Sequence, residues 1–239
     1  MNKLVLMATL AAMPFIQDDA LSRADKLFID RDNIDSLKQA ISVLEVLVAK
    51  DQSSYEGFWR LAKLKYHLAD RDTNQSNKEK LLQAAIAAGK KAVALDAGRV
   101  EGHFWLAASG GAYADLKGAL QSLSLVKSIR REFEAAVAID PKYENGDAYS
   151  ALGQIDLNLP KLLGGNDKRG LERLEQGLEI GKTNADLKVT VAQVYIKRGR
   201  TNDARRLLES VINGTDPARS PQEQADLKSK AARLLAKLK

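Results

Sequence analysis

The sequence predicts an all-α fold, an α-solenoid of about five helical hairpins plus a C-terminal helix. Three observations lead there. Five prolines in 239 residues, with Ala, Leu, Lys and Glu abundant, favour helix over sheet. Apolar residues recur three and four apart through most of the chain, so each segment has one stripe to bury. A helix–turn–helix pattern also returns along the chain, the mark of a stacked repeat.

From the N-terminus, "MNKLVLMATLAAMPFIQDDA" sets Lys3 before an apolar run from Leu4 to Ile16, followed by polar "QDD". That is the layout of a secretory signal, and the run is too short to span a membrane as a helix. Residues 1–17 are therefore read as a signal peptide and 18–239 as the repeat domain. No small-x-small cleavage site precedes Gln17 and no Cys offers a lipid attachment point; the alternative is a first helix packed on the array.

The first pair joins "DALSRADKLFI" to "LKQAISVLEVLVAKD", with Ala24, Leu27, Ala40, Leu44 and Leu47 on its apolar faces. In the second, "GFWRLAKLKY" and "AAGKKAVALDAG" supply Trp59, Ala62, Tyr66 and Ala92. The third runs from "HFWLAASGGA" to "RREFEAAVAIDPKY" with Trp105, Phe133 and Ala136, and Pro141 ends it because proline cannot continue a helix. "YSALGQID" and "RGLERLEQGLEI" form the fourth. The fifth is the clearest: "NADLKVTVAQVYIKRGRTNDARRLLESVINGTDP" places Tyr195, Gly199 at a helix end, Ala204, Leu208 and Val211 in order. Ser220-Pro221 opens a last helix.

The Trp/Leu-Gly/Tyr…Ala…Ala pattern and "AVAIDPKY" resemble the tetratricopeptide repeat, a unit of about 34 residues in which a large side chain fills a hole beside a small one. One such unit cannot bury its own face, so the array is stable only when stacked. Three pairs depart from the pattern. Tyr195 to Ala204 is nine residues, whereas Ala112 to Ile129 is seventeen and Asp156 to Gly170 is fourteen. The second pair carries a polar connection, "ADRDTNQSNKEK". With these inserts, the stretch from Gly102 to Ile180 is similar to the T-component family, periplasmic tetratricopeptide-like proteins associated with tripartite ATP-independent periplasmic transporters. It is also similar, more distantly, to the tetratricopeptide domain of the eukaryotic regulator of microtubule dynamics proteins. The matching elements are Gly102-His103 before Trp105, Lys117-Gly118 with Ser122-Leu123, and the Leu159-Pro160 to Gly164-Gly165 turn. The resemblance implies a binding protein with a hydrophobic pore or cleft, working beside an extracytoplasmic ligand-binding protein. It implies no chemistry.

The residues agree in offering no catalytic set. The chain lacks cysteine, so it has no disulfide, thiolate metal site or cysteine nucleophile. His67 and His103 are its only histidines, in different pairs and without metal-ligand spacing. Neither "SGGAYADLKG" nor "LLGGNDKRG" has the spacing of a phosphate loop, and no G-x-S-x-G occurs. Gly110-Gly111 reads as close helix contact and Gly164-Gly165 as a turn. The net charge of +6 comes from 37 basic residues interspersed with 31 acidic ones, without the clustered basic and aromatic surface of a nucleic-acid binder. No cofactor and no metal are expected.

Registering the pairs on Trp59, Trp105, Tyr149 and Lys188 turns Arg60, Leu64 and His67 inward in the second pair, and His103, Leu106 and Tyr113 in the third. Ser150, Gln154 and Leu157 follow in the fourth, and Lys188 and Gln193 in the fifth. With Leu123 and Leu163 from the inserts, the candidate ligand- or partner-binding residues are Arg60, His67, His103, Tyr113, Gln154 and Lys188. This surface is amphipathic and slightly cationic, suited to a peptide segment or an anionic ligand with an apolar body. An ordinary wetted groove is the alternative. The expected function is that of a non-enzymatic extracytoplasmic binding or adaptor protein. Its partner is a protein, such as a periplasmic ligand-binding protein, or an apolar small ligand; a general scaffold for an envelope complex is the second reading. The apolar residues of the inserts would line a cleft or make a homo-oligomer contact.

Overall fold

The computed structural model describes residues 18–238, apart from the side chains of residues 119–124. The signal-like segment 1–17 and the side chain of Leu123 lie outside the described residues. Among these residues every regular element is helical, as the sequence predicts, and the chain forms two compact units, Met1–Ser122 and Leu123–Lys239.

The first unit holds α1 (18–29), α2 (Ile34–Lys50), α3 (Tyr55–Arg71), α4 (Gln75–Leu95), α5 (Val100–Lys117) and the start of α6 (Ala119–Ile139). The second holds the rest of α6, then α7 (Asp147–Asn158), α8 (Asp167–Ile180), α9 (Ala185–Lys197), α10 (Thr201–Asn213) and α11 (Pro221–Ala236). These are the five expected pairs and the terminal helix.

The helix ends are written in the sequence. Ser54, Asn74, Asn166, Asn184 and Ser220 each accept a backbone N–H in the first turn of α3, α4, α8, α9 and α11. Ser220 adds a full capping box with Glu223. The second helices of the first three pairs end on an aspartate whose side chain accepts the N–H two residues on. Asp51 binds Ser53, Asp96 binds Gly98 and Asp140 binds Lys142, each at 2.9 Å. Asp216 does the same for Ala218 at 3.1 Å.

The core sits where large and small residues alternate across the helix contacts. Leu37, Leu44, Leu82, Leu174, Leu187 and Leu208 are fully buried. So are Ala40, Ala62, Ala92 and Ala204, the small positions that the repeat pattern assigned. In the first unit a Cβ on Gly89 would meet Leu106 Cα at 2.9 Å, so α4 and α5 touch nearly backbone to backbone. In the second, Gly153 and Gly170 bring α7 and α8 equally close: a Cβ on Gly153 would lie 2.9 Å from Gly170 O.

Two expectations need correction, on the polar stretch and on Gly111. The polar stretch after α3 is not a long connection. Only residues 72–74 are non-helical, because Asn74 caps α4 at once and Asp72 accepts the Asn74 N–H. The third-pair insert is helix rather than loop. Gly118 alone, at φ +82°, separates α5 from α6, and α6 begins ten residues before Ile129 where α10 begins three before Ala204. Gly111 is not a contact glycine either, since nothing lies within 4 Å of the place its Cβ would occupy. The fourth-pair insert, by contrast, is wholly connection. α7 and α8 end and begin at the positions that α9 and α10 set, and residues 159–166 join them through a short 3-10 turn, Lys161–Leu163. Gly164 there has φ +90°, and Gly165 has no room for a Cβ against Leu159 O, so this pair does form a turn.

The two classes of glycine predict opposite mutational effects. Gly153→Ala should lower folding stability by about 1–3 kcal/mol through overpacking, whereas Gly111→Ala should raise it by about 0.5–1 kcal/mol by favouring helix in open space. Paired thermal unfolding measured by circular dichroism separates the two signs.

Candidate functional site

The first helices of successive pairs lie side by side in the first unit, and the i, i+3, i+7 spacing of Arg60, Lys63 and His67 puts all three on one face of α3. Phe28 of α1 lies to one side of that face and Trp105 of α5 to the other. The rings form a row: Phe28 to His67 at 5.0 Å between centroids, and His67 to Trp105 at 5.6 Å, with Tyr66 also 5.6 Å from Trp105. Lys63 Nζ stands 4.8 Å from the Phe28 ring centre and 5.0 Å from that of Trp105, a cation held over two aromatic faces. Phe28, Lys63, Tyr66 and His67 are half-buried, and Trp105 beneath them is buried. An apolar floor with a cation above it can take a peptide side chain and orient a nearby carboxylate.

Salt bridges frame this row. Arg60 spans α1 and α3 through a bidentate pair with Asp25, at 2.9 and 3.1 Å, and a bond to Glu56. Glu56 also accepts from Trp59 Nε1 at 2.9 Å and from Arg99. Burial, the largest influence on Glu56, raises its pKa, but the hydrogen bonds from Arg99 and Arg60 outweigh it and hold the carboxyl below its usual range. Tyr55 closes the frame, donating to Glu101 at 3.1 Å and accepting the Gly102 N–H at 3.0 Å.

Of the four residues picked out from the sequence in the first unit, Arg60 and His67 stand on this face. His103 is a core residue: it is buried, with Nε2 3.0 Å from Ala97 O in the α4–α5 connection. Tyr113 turns to α4, its hydroxyl 3.3 Å from Gln83 Nε2 and 3.5 Å from Glu79. Tyr113 holds the position on α5 that His67 holds on α3, eight residues after the tryptophan of its helix. In the second unit Gln154 is exposed and bonds Ser150 at 3.3 Å. Lys188 lines a small recess of mixed character with Thr183, Ala185, Ser210, Val211 and Gln224. Leu163 is half-exposed on the insert turn. Phe28 and Lys63 went unread; their signal was helical spacing on neighbouring first helices, visible only once α1 and α3 are set in register.

The second unit holds two charge clusters inside its packing, one fully buried and one half-buried. Asp156, fully buried, receives Arg130 at 2.5 Å, Arg169 at 2.6 and 2.8 Å, and Arg173 at 3.1 Å. Burial pushes this carboxyl up, and the bonds from Arg169 and Arg130 more than reverse it. Arg130 and Arg169 also reach Gly164 O, at 3.4 and 2.9 Å, and so fasten the insert turn to α6 and α8. The other cluster joins three pair boundaries: Asp147 accepts from Asn184 at 2.6 Å and from Arg219 at 3.0 Å, and Asp216 accepts the Ala185 N–H at 3.0 Å. Among the described residues no three His, Cys, Asp or Glu side chains converge as a metal site requires. No helix there is long and apolar enough to cross a membrane.

The fold is shared with proteins of known structure. A thermophilic TPR protein of Thermus thermophilus superposes with a TM-score of 0.67 at 18% identity, over 92% of this chain and 99% of that one. The pilF protein of Pseudomonas aeruginosa gives 0.58 at 17% identity, over 95% and 93%. At these identities the likeness shows the tetratricopeptide fold alone. No curated protein matches the chain in sequence. A sequence profile described as regulator of microtubule dynamics protein 1-3 matches residues 20–154, more than half of the chain.

The half-buried Asp147 gives a test by pH. Burial, its largest influence, outweighs Arg219 and Asn184 and raises its pKa from 3.8 to about 6. A raised acid binds its proton more tightly folded than unfolded. Its contribution to stability is therefore full below about pH 4 and falls as pH rises to about 6. Asp147→Asn should flatten that slope in denaturant unfolding measured across this window, and an unchanged slope would remove Asp147 as its source.

Proposed function

Since the chain belongs to the regulator of microtubule dynamics protein 1-3 family, we propose that it is a non-enzymatic adaptor that binds a protein segment on the first-helix face of its first unit. The observation that carries this reading is the row Phe28, His67 and Trp105 with Lys63 over two of its rings. All of it falls within the 20–154 stretch that the family profile covers. Half-buried aromatics supply contact area at low entropic cost, and an ammonium beside them selects for a carboxylate. The segment that fits is amphipathic, with an apolar side chain against the rings and an acidic one next to it. The family description names microtubule dynamics; the proposal for this chain is confined to the chemistry of the segment.

In its finer form the adaptor works outside the cytoplasm, as a T-component-like accessory whose partner is a ligand-binding protein. Lys3, the Leu4–Ile16 run and the polar residues after it support export. The shared Gly102-His103, Lys117-Gly118 and Leu159-to-Gly165 elements support the accessory role.

Two measurements test these readings separately. A peptide selected from a random library on the intact protein should bind Lys63→Glu or Phe28→Ala at least about tenfold more weakly, the loss expected of a hot spot, with helical content by circular dichroism unchanged. Equal binding by both variants overturns the site. Sequencing the N-terminus of the protein from its native cells should show loss of roughly the first 16 to 20 residues; Met1 retained on cytosolic protein overturns export.

A further inference from the structure

The insert turn between α7 and α8 does something the repeat does not require. Leu162 is 100% exposed and Leu163 50% exposed, side by side at its tip. A loop with nothing to do would shed such residues or fold them in. This one holds them out on a fixed base. Gly164 O is gripped by Arg130 and Arg169, Gly165 N–H returns to Pro160 O at 3.1 Å, and Asn166 N–H reaches Asp156 O at 2.8 Å. The buried Asp156 and its three arginines lie beneath that grip. The leucines therefore stand on a rigid platform.

The charge around the tip is positive. Residues 157–166 contain Lys161 and no acid. Lys168 follows in the first turn of α8, its side chain 87% exposed, and Lys127 is exposed one turn before Arg130 on α6. Asp167 precedes Lys168, and Glu172 pairs with it at 3.8 Å in an exposed contact. Long basic side chains next to a short apolar tip can lie along a surface with their charged ends outward while the tip goes deeper.

We infer that this turn is a docking tip for an anionic lipid surface, with Leu162 and Leu163 entering the acyl boundary and Lys161, Lys168 and Lys127 meeting the headgroups. A protein socket is the less suited occupant. Pro160, Gly164 and Gly165 around the leucines offer it little further apolar or hydrogen-bonding surface, whereas lipid hydrocarbon needs no shape match. Two leucines and a few lysines give reversible attachment, the regime in which apolar depth and electrostatic attraction must act together. The inference stands apart from the adaptor face, which lies in the other unit.

Co-sedimentation of the intact protein with vesicles tests it. Vesicles of phosphatidylglycerol and phosphatidylcholine should bind the protein, and phosphatidylcholine alone should bind it several-fold less. Added salt should weaken the first. Leu162→Ser combined with Leu163→Ser should reduce binding at least about tenfold. Lys161→Gln combined with Lys168→Gln should reduce it several-fold and lessen its salt dependence. A Leu162→Trp variant should show a blue-shifted emission on adding anionic vesicles, a readout that needs no loss of function. The inference is overturned by failure of the wild-type protein to bind, by leucine variants that bind as well as wild type, or by an unshifted Leu162→Trp spectrum. It is equally overturned if the leucine substitutions instead dissolve a dimer seen by light scattering, which would make the tip a contact between copies.

Discussion

Close approach of helix backbones is the constraint from which the rest of this structure follows. At Gly89 against Leu106, and again at Gly153 against Gly170, one helix leaves no space for a side chain on the other. Buried alanines such as Ala40, Ala62 and Ala204 do the same less severely. Large residues can then fill the space to either side, and Leu82, Leu174 and Leu208 lose all their exposure. Dispersion contacts at this density are individually small and depend on the absence of gaps. A helix pair alone would leave half of these faces in water, so the fold exists only as neighbours pressed together.

Charge is used to locate the backbone that packing does not reach. Arg60 ties α1 to α3 through Asp25, and Arg219 ties two pair boundaries through Asp147. Asp156 collects three arginines in the interior. Buried ion pairs such as those of Asp156 add little to net stability compared with well-packed apolar groups, but losing one partner is costly. They act here as locators: each fixes the position of a turn or a helix end relative to a neighbour. The left-handed run Glu144, Asn145 and Gly146 is held in this way, with Asn184 Nδ2 donating to Asn145 O at 2.9 Å.

The sequence made the architecture legible because each level gave the same signal. Spacing of three and four marked the helices, alanines marked the contacts, and Pro141, Gly199 and Ser220-Pro221 marked three of the ends, while the caps at Asn74, Asn166 and Asn184 went unread. What it hid were the relations between pairs. The aspartates that end α2, α4 and α6 form one recurring turn, yet only the "AVAIDPKY" instance stands out by eye. His103 carries the right chemistry for a groove but is buried against the α4–α5 connection, and Tyr113 spends its hydroxyl on α4, contacts that only the packed helices reveal. Phe28 and Lys63 looked ordinary because their partners are other first helices, more than thirty residues away in sequence.

The two inserts also show how such a chain can grow. An α-helix turns about 100° per residue, so seven added residues bring its face back to within about 20° of where it began. The third pair gained eight, taken up by three more residues at the end of α5 and seven more at the start of α6 with a connection two residues shorter, and the stripe through Ile129, Phe133 and Ala136 stays buried. Five added residues would swing a stripe about 140° off its partner. The fourth pair gained that number, and they were expelled from both helices into a turn. Residues added at helix ends lengthen the scaffold without turning the stripe they extend; residues added in a connection must surface, and in surfacing become available for selection to use.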